Sequence, residues 1–190
     1  MARSLITLIG LALLSSGVNA AVRPITDLPL QADGANHWRL PAGEYRGTFR
    51  IDQALDLTCA PGAVFQAEGQ GNGLLIGAPD VSVQGCTFLD WGRDLTAMNA
   101  GIFIQPNAAR AQLRGNRLQG PGFGIWVDGT EDVSLIDNRI QGDPSIRSQD
   151  RGNGIHLYAV HGARVIDNQV RETRDGIYID TSNGNLLQGN

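Results

Sequence analysis

The sequence predicts an all-β protein built as a right-handed parallel β-helix, and three observations carry that prediction. First, a strand-like quartet recurs at Gly101-Ile102-Phe103-Ile104, Gly124-Ile125-Trp126-Val127, Gly154-Ile155-His156-Leu157 and Gly176-Ile177-Tyr178-Ile179. Second, an asparagine follows each quartet, at Asn116, Asn138, Asn168 and Asn190, with spacings of 22, 30 and 22 residues. The unit is therefore 22 residues with one added loop of eight, and a fixed period near twenty marks a solenoid. Third, the apolar residues within each unit alternate, as in Ile102-x-Ile104 and Ile125-x-Val127, which is the period of a strand.

A second short strand follows each quartet: Gln112-Leu113-Arg114, Val133-Ser134-Leu135 and Arg164-Val165-Ile166. Then come a Gly-Asn or Asp-Asn pair and one more apolar residue, Leu118, Ile140 or Val170. Short strands separated by such corners describe a coil of about three faces, with strands of successive coils parallel and about 4.8 Å apart. Stacking buries a shared interior that one coil could not bury alone. The right hand follows the bias of parallel crossovers. The asparagine column is read as structural, with Asn accepting a left-handed corner backbone and bonding its neighbour in the next coil. The leading glycines are read as corners of positive φ.

Residues 1–20 read as a signal peptide. Arg3 gives a positive start, Leu5 to Leu14 a short apolar run, and Val18-Asn19-Ala20 a small-residue cleavage site after Ala20. Residues 21–190 then form a single exported β-helix domain, periplasmic in a Gram-negative cell. Within it, 21–46 are expected to be a lead-in and cap, and 47–190 the coils. Leu40-Pro41-Ala42-Gly43-Glu44-Tyr45 reads as a turn and strand. Glycine, at 25 residues, is spread among the repeats and so marks corners rather than a linker.

Without Arg3 the chain carries 14 positive and 19 negative residues, a net charge of −5. That balance argues against nucleic acid or an anionic membrane as partner, so a membrane is reached only through another protein. Every positive residue is arginine, which removes lysine from any catalytic role. Cys59 and Cys86 stand 27 residues apart, about one coil. In an exported protein they form either a disulfide or two small buried apolar groups.

Two polar insertions, Leu89 to Ala100 and Asp143 to Asn153, enter at the same corner two coils apart. Loops on a solenoid usually carry its specific surface. Asn190 stops in mid-coil, which suggests a fragment of a longer helix or a partner stacked on the open end.

If Ile102 and Ile104 face inward, the residue between them faces out. Carried through the coils, that position gives Leu75, Phe103, Trp126, His156 and Tyr178; two residues on stand Gly77, Gln105, Asp128, Tyr158 and Asp180. Phe103, Trp126, His156, Tyr158 and Tyr178 are the candidate surface for a partner or ligand, such as a sugar ring. The alternative is that the aromatics stack on one another beneath the insertions. Asp128 and Asp180, about 9–10 Å apart across two strand spacings, sit at the edge of the inverting-glycosidase range of about 6.5–9.5 Å. His156 between them could be a general base. For a metal, His156, His161 and Met98 are the candidate ligands, without a spacing that makes them a site.

These repeats resemble the NosD family. The residues that carry the resemblance are Leu40-Pro41-Ala42-Gly43-Glu44-Tyr45, Gly154-Ile155-His156-Leu157-Tyr158, Val165-Ile166-Asp167-Asn168 and Arg174-Asp175-Gly176-Ile177-Tyr178-Ile179. The resemblance covers most of residues 24–190. It implies a periplasmic, non-enzymatic accessory protein of the carbohydrate-binding-and-sugar-hydrolase β-helix type. It further implies work with an ABC transporter of NosF and NosY type in assembling the copper centre of nitrous oxide reductase. Copper is the metal it implies, and the family's greater length fits a chain that continues past Asn190. The rival class is a polysaccharide lyase, hydrolase or C5-epimerase, or a sugar-binding module, on the same fold. The epimerases of this fold carry Asp-Pro-His-Glu, whereas here Asp143-Pro144 is followed by Ser145-Ile146.

Overall fold

In the computed structural model, which describes residues 21–190, the chain winds as a β-helix with three parallel sheets. The predicted signal peptide lies outside the described residues. Among those described, the sheets have seven, six and eight strands. Each coil passes in turn through the eight-, the six- and the seven-stranded sheet; the coil His37–Leu40, Gly43–Arg46 and Phe49–Ile51 is one example. Parallel pairing begins at Arg23–Pro24, which lies beside Phe49–Arg50, and residues 37–46 already pair with the following coil. Before them, Gln31–Ala32 pairs antiparallel with the strand beginning at His37. A 3-10 turn at Ile25–Asp27 places Ile25, with Leu28 beside it, on the end of the core.

Strand alternation fills the interior with aligned apolar rows. On the seven-stranded sheet, Phe49, Leu74, Ile102, Ile125, Ile155 and Ile177 are in register. On the eight-stranded sheet Leu57, Val83, Leu113, Leu135 and Val165 are in register. On the six-stranded sheet Phe65 and Phe88 stack with ring centroids 4.8 Å apart, one strand spacing. Each such residue, removed from water, contributes about 1.5–3 kcal/mol.

The asparagine corner is a continuous hydrogen-bonded ladder. The backbone N–H groups of Cys86, Asn116 and Asn138 donate to Oδ1 of Asn116, Asn138 and Asn168 at 3.0–3.1 Å. Nδ2 of Asn116 and Asn138 also donates to the next Oδ1 and back to the carbonyls of Val83 and Leu113. The left-handed backbone expected of the asparagines belongs instead to the residue before each: Gly115 (φ 61), Asp137 (φ 52) and Asp167 (φ 54). Glycine or aspartate makes the corner, leaving asparagine free to face inward and bond.

Cys86 ends the asparagine column and is joined to Cys59 by a disulfide, Cα–Cα 5.0 Å. This decides between the two readings of the cysteines.

The leading glycines have a different cause from the one expected. Gly101, Gly124 and Gly154 do not have positive φ. A Cβ on Gly124 would lie 2.4 Å from the Gly154 carbonyl oxygen and 2.4 Å from Ile140 Cγ2, and one on Gly154 would lie 2.1 Å from Val170 Cγ1. These positions are glycine because neighbouring coils approach too closely for a side chain. Trp91, which the sequence placed in a polar insertion, is fully buried. Its ring lies where Gly120 and Gly101 lack side chains, 2.7 and 3.0 Å from the positions their Cβ atoms would take.

The candidate site on the seven-stranded sheet

The outward rows form as strand alternation requires. Leu75, Phe103, Trp126, His156 and Tyr178 are consecutive register partners. Asp128, Tyr158 and Asp180 form the row beside them. The residue directly between the two aspartates is thus Tyr158, with His156 in the neighbouring row.

The aromatics pack tightly. Phe123 and Trp126 have centroids 4.7 Å apart, Trp126 and His156 4.0 Å, and His156 and Tyr178 5.0 Å. Phe103 meets Trp126 edge-on at 6.4 Å. The first insertion folds back over this row, because Oδ1 of Asp94 accepts the backbone N–H groups of Thr96 and Ala97 and turns the loop on itself. Leu95 and Met98 then pack against Ala100, Phe123 and Trp126 as a small second core. Of the two readings, stacking beneath an insertion holds for Trp126 and His156, and the exposed strip does not. Trp126 is 7% and His156 8% exposed, whereas Tyr158 and Tyr178 are 43% and 44% exposed. Alternation set which way these side chains point, and the insertion covers Trp126.

The buried part of the face has polar atoms without partners. Trp126 Nε1, His156 Nε2, Asn153 Oδ1 and Thr130 Oγ1 are buried and unbonded. His156 Nδ1 lies 3.1 Å from Asn153 Nδ2, so it accepts from that amide and the ring proton sits on Nε2. Burial lowers the His156 pKa, outweighing the opposite pull of the Asp180 and Asp175 charges. Burial also raises that of Asp128. A neutral imidazole with one nitrogen bonded and the other enclosed has no route to a substrate proton. Asp128 and Asp180 stand two strands apart in one row. The Tyr158 side chain stands between them, where the scissile bond and a water would lie.

Asn153 and Phe123 are the members of this cluster that sequence reasoning missed. Their signal was position, since each directly precedes a leading glycine. Asn72 holds the same place earlier, and its Oδ1 accepts the Ala100 N–H at 2.7 Å.

The metal candidates do not converge. His156 faces the aromatic row. His161 lies at the corner, bridged between Glu131 and Asn183, and its Nδ1 bonds Asn183 Oδ1. Met98 is packed in the second core. Both cysteines are in the disulfide, so neither offers a thiolate. Among the described residues no three His, Cys, Asp or Glu side chains come together. The donor set present here does not fit a copper centre.

Fold and face together define a solenoid whose rigid stacked coils present extended side-chain rows. Comparison with known proteins gives the lineage. A family model described as periplasmic copper-binding protein (NosD) matches residues 136–190. A protein of Stutzerimonas stutzeri, named probable ABC transporter binding protein NosD, is 63% identical over 166 residues, covering 87% of this chain and 38% of that one. A Pseudomonas aeruginosa protein of the same name is 50% identical over 167 residues, covering 87% of this chain and 39% of its own. A second from that species is 60% identical over 94 residues, 50% of this chain and 86% of that one. The chain belongs to the NosD family, which is described as periplasmic. It spans under two fifths of the length of the first two relatives.

Proposed function

We propose that the protein is a non-enzymatic periplasmic scaffold that acts with an ABC transporter in assembling the copper centre of nitrous oxide reductase. Copper in this reading is cargo handled by the assembly, not a resident group of these coils. The observation that carries it is the 63% identity to a relative whose name states ABC transporter binding. The face geometry supports binding over turnover, because His156 is enclosed and Tyr158 separates the two carboxylates. Tyr158 is exposed and supplies the amphipathic ring that contact surfaces favour.

The test is a pull-down from periplasm and membrane of denitrifying cells, with the full gene product as bait. The scaffold reading expects ABC-transporter subunits or the reductase among the captured proteins. It also expects a D128N/D180N variant to leave the copper content of the reductase unchanged. Capture of neither, together with cleaved or epimerised alginate or pectin in a parallel assay, would replace the scaffold with a polysaccharide enzyme.

A further inference from the structure

The outer side of the six-stranded sheet carries a groove of about 450 Å³ that the candidate site does not use. Strand register builds its floor. Thr87, Arg117, Arg139 and Gln169 form one row, and Leu89, Gln119, Gln141 and Arg171 the row beside it. Arg117 and Arg139 are therefore side by side on adjacent strands, about 4.8 Å apart along the stack, with Arg171 one coil further on.

Among the described residues most other arginines hold a carboxylate, as Arg46 does Glu44, Arg50 Asp52, Arg110 Asp80 and Arg151 Glu172. Among the described residues Arg117, Arg139 and Arg171 hold none, and no carboxylate lines their groove. Asp90 and Asp143 line a separate hollow that meets the groove at Leu89 and Gln119, and Glu172, next to Arg171, is paired with Arg151. Like charges on neighbouring strands repel, so the arrangement contributes nothing to the fold. It persists in a chain of net charge −4.

We propose that this groove docks an acidic, extended segment of a partner protein. Guanidinium groups take carboxylates through paired hydrogen bonds, and an anion laid between Arg117 and Arg139 would turn their repulsion into attraction. Alternate residues of an extended segment project to one side about 7 Å apart, within reach of flexible arginines one and two coils away. Gln119, Gln141, Gln169 and Thr87 offer both donors and acceptors to such a segment's backbone. No aromatic ring lines the groove, so a sugar ring has no stacking platform there. The proposal rests on the groove alone and holds whatever the partner's activity.

A fluorescein-labelled decapeptide of alternating glutamate and alanine, titrated by anisotropy against the full protein, tests it. Binding should saturate, weaken with added salt, and fall about tenfold in R117Q/R139Q, the loss expected for a charge-assisted pair. R164Q, a substitution on the eight-stranded sheet, should leave binding unchanged. The double variant should melt no earlier than the parent, since it removes a repulsion. If it melts early, the single variants R117Q and R139Q decide, each expected to bind several-fold more weakly. Equal affinity in the groove variants, or an equal loss in R164Q, would overturn the proposal. So would displacement of the peptide by oligogalacturonate more effectively than by unlabelled peptide, which would make the occupant a sugar acid.

Discussion

The corner that carries Asn116, Asn138 and Asn168 and the face that carries Trp126 and His156 are both columns of stacked, buried side chains. At the corner the oxygens of Asn138 and Asn168 each accept two hydrogen bonds and that of Asn116 accepts one, and every amide donates at least twice, so no polar group of the column lacks a partner. On the face, an indole N–H, an imidazole N–H and an amide oxygen are enclosed with no partner. Identical residues at a fixed period can satisfy one another indefinitely, whereas a column of Phe, Trp, His and Tyr offers each member a different neighbour. The corner thus holds the stack together, and the face keeps unspent polarity beneath an insertion that covers it.

The contrast is broken most directly at Asn138. The N138A variant strands the Asn116 N–H, the Asn116 amide and the Leu113 carbonyl, each of which costs about 1–3 kcal/mol when buried unpaired. A loss near 4 kcal/mol in urea unfolding is expected. Next is the disulfide at the end of the same column. C59A/C86A opens a loop of 27 residues and should lower stability by about 3 kcal/mol. G124A, which drives a methyl group against the Gly154 carbonyl, should cost about 2 kcal/mol, read as a fall in melting temperature. On the face the sign changes. W126F removes an N–H that has no partner and should cost under about 1 kcal/mol, far less than the corner variant.

The smallest effect is a pH dependence at His156. Its pKa in the fold lies below the ordinary value of about 6.5 that it regains on unfolding. Its contribution is complete above about pH 6.5 and is lost as pH falls from there through the folded value. H156Q should flatten that part of the stability profile, measured by denaturant titration across pH 7 to pH 5.

Much of this was legible in the residues. Period and alternation fix strand register, so the rows from Leu75 to Tyr178 and from Asp128 to Asp180 are readable in the sequence. The cause of the leading glycines was not, because positive φ and close backbone approach select the same residue type. The cover over Trp126 was one of two readings the residues left open, since alternation fixes a direction and does not say where the insertion from Leu89 to Ala100 lies. Trp91 was hidden for the same reason, although Gly120 and Gly122 one coil later mark the space it fills. Arg117 and Arg139 were visible as Arg-Leu-Gln and Arg-Ile-Gln at one repeat position. Their significance needed the paired state of the other arginines, which spacing does not give.

Native-state hydrogen exchange by NMR compares the two columns in one experiment. The backbone amides of Cys86, Asn116 and Asn138 should belong to the slowest class and exchange only with global unfolding. The Trp126 indole N–H, buried but unbonded, should exchange through a smaller local opening of the covering insertion. Equal protection at both places would contradict the account, because it would mean that the face is as firmly satisfied as the corner.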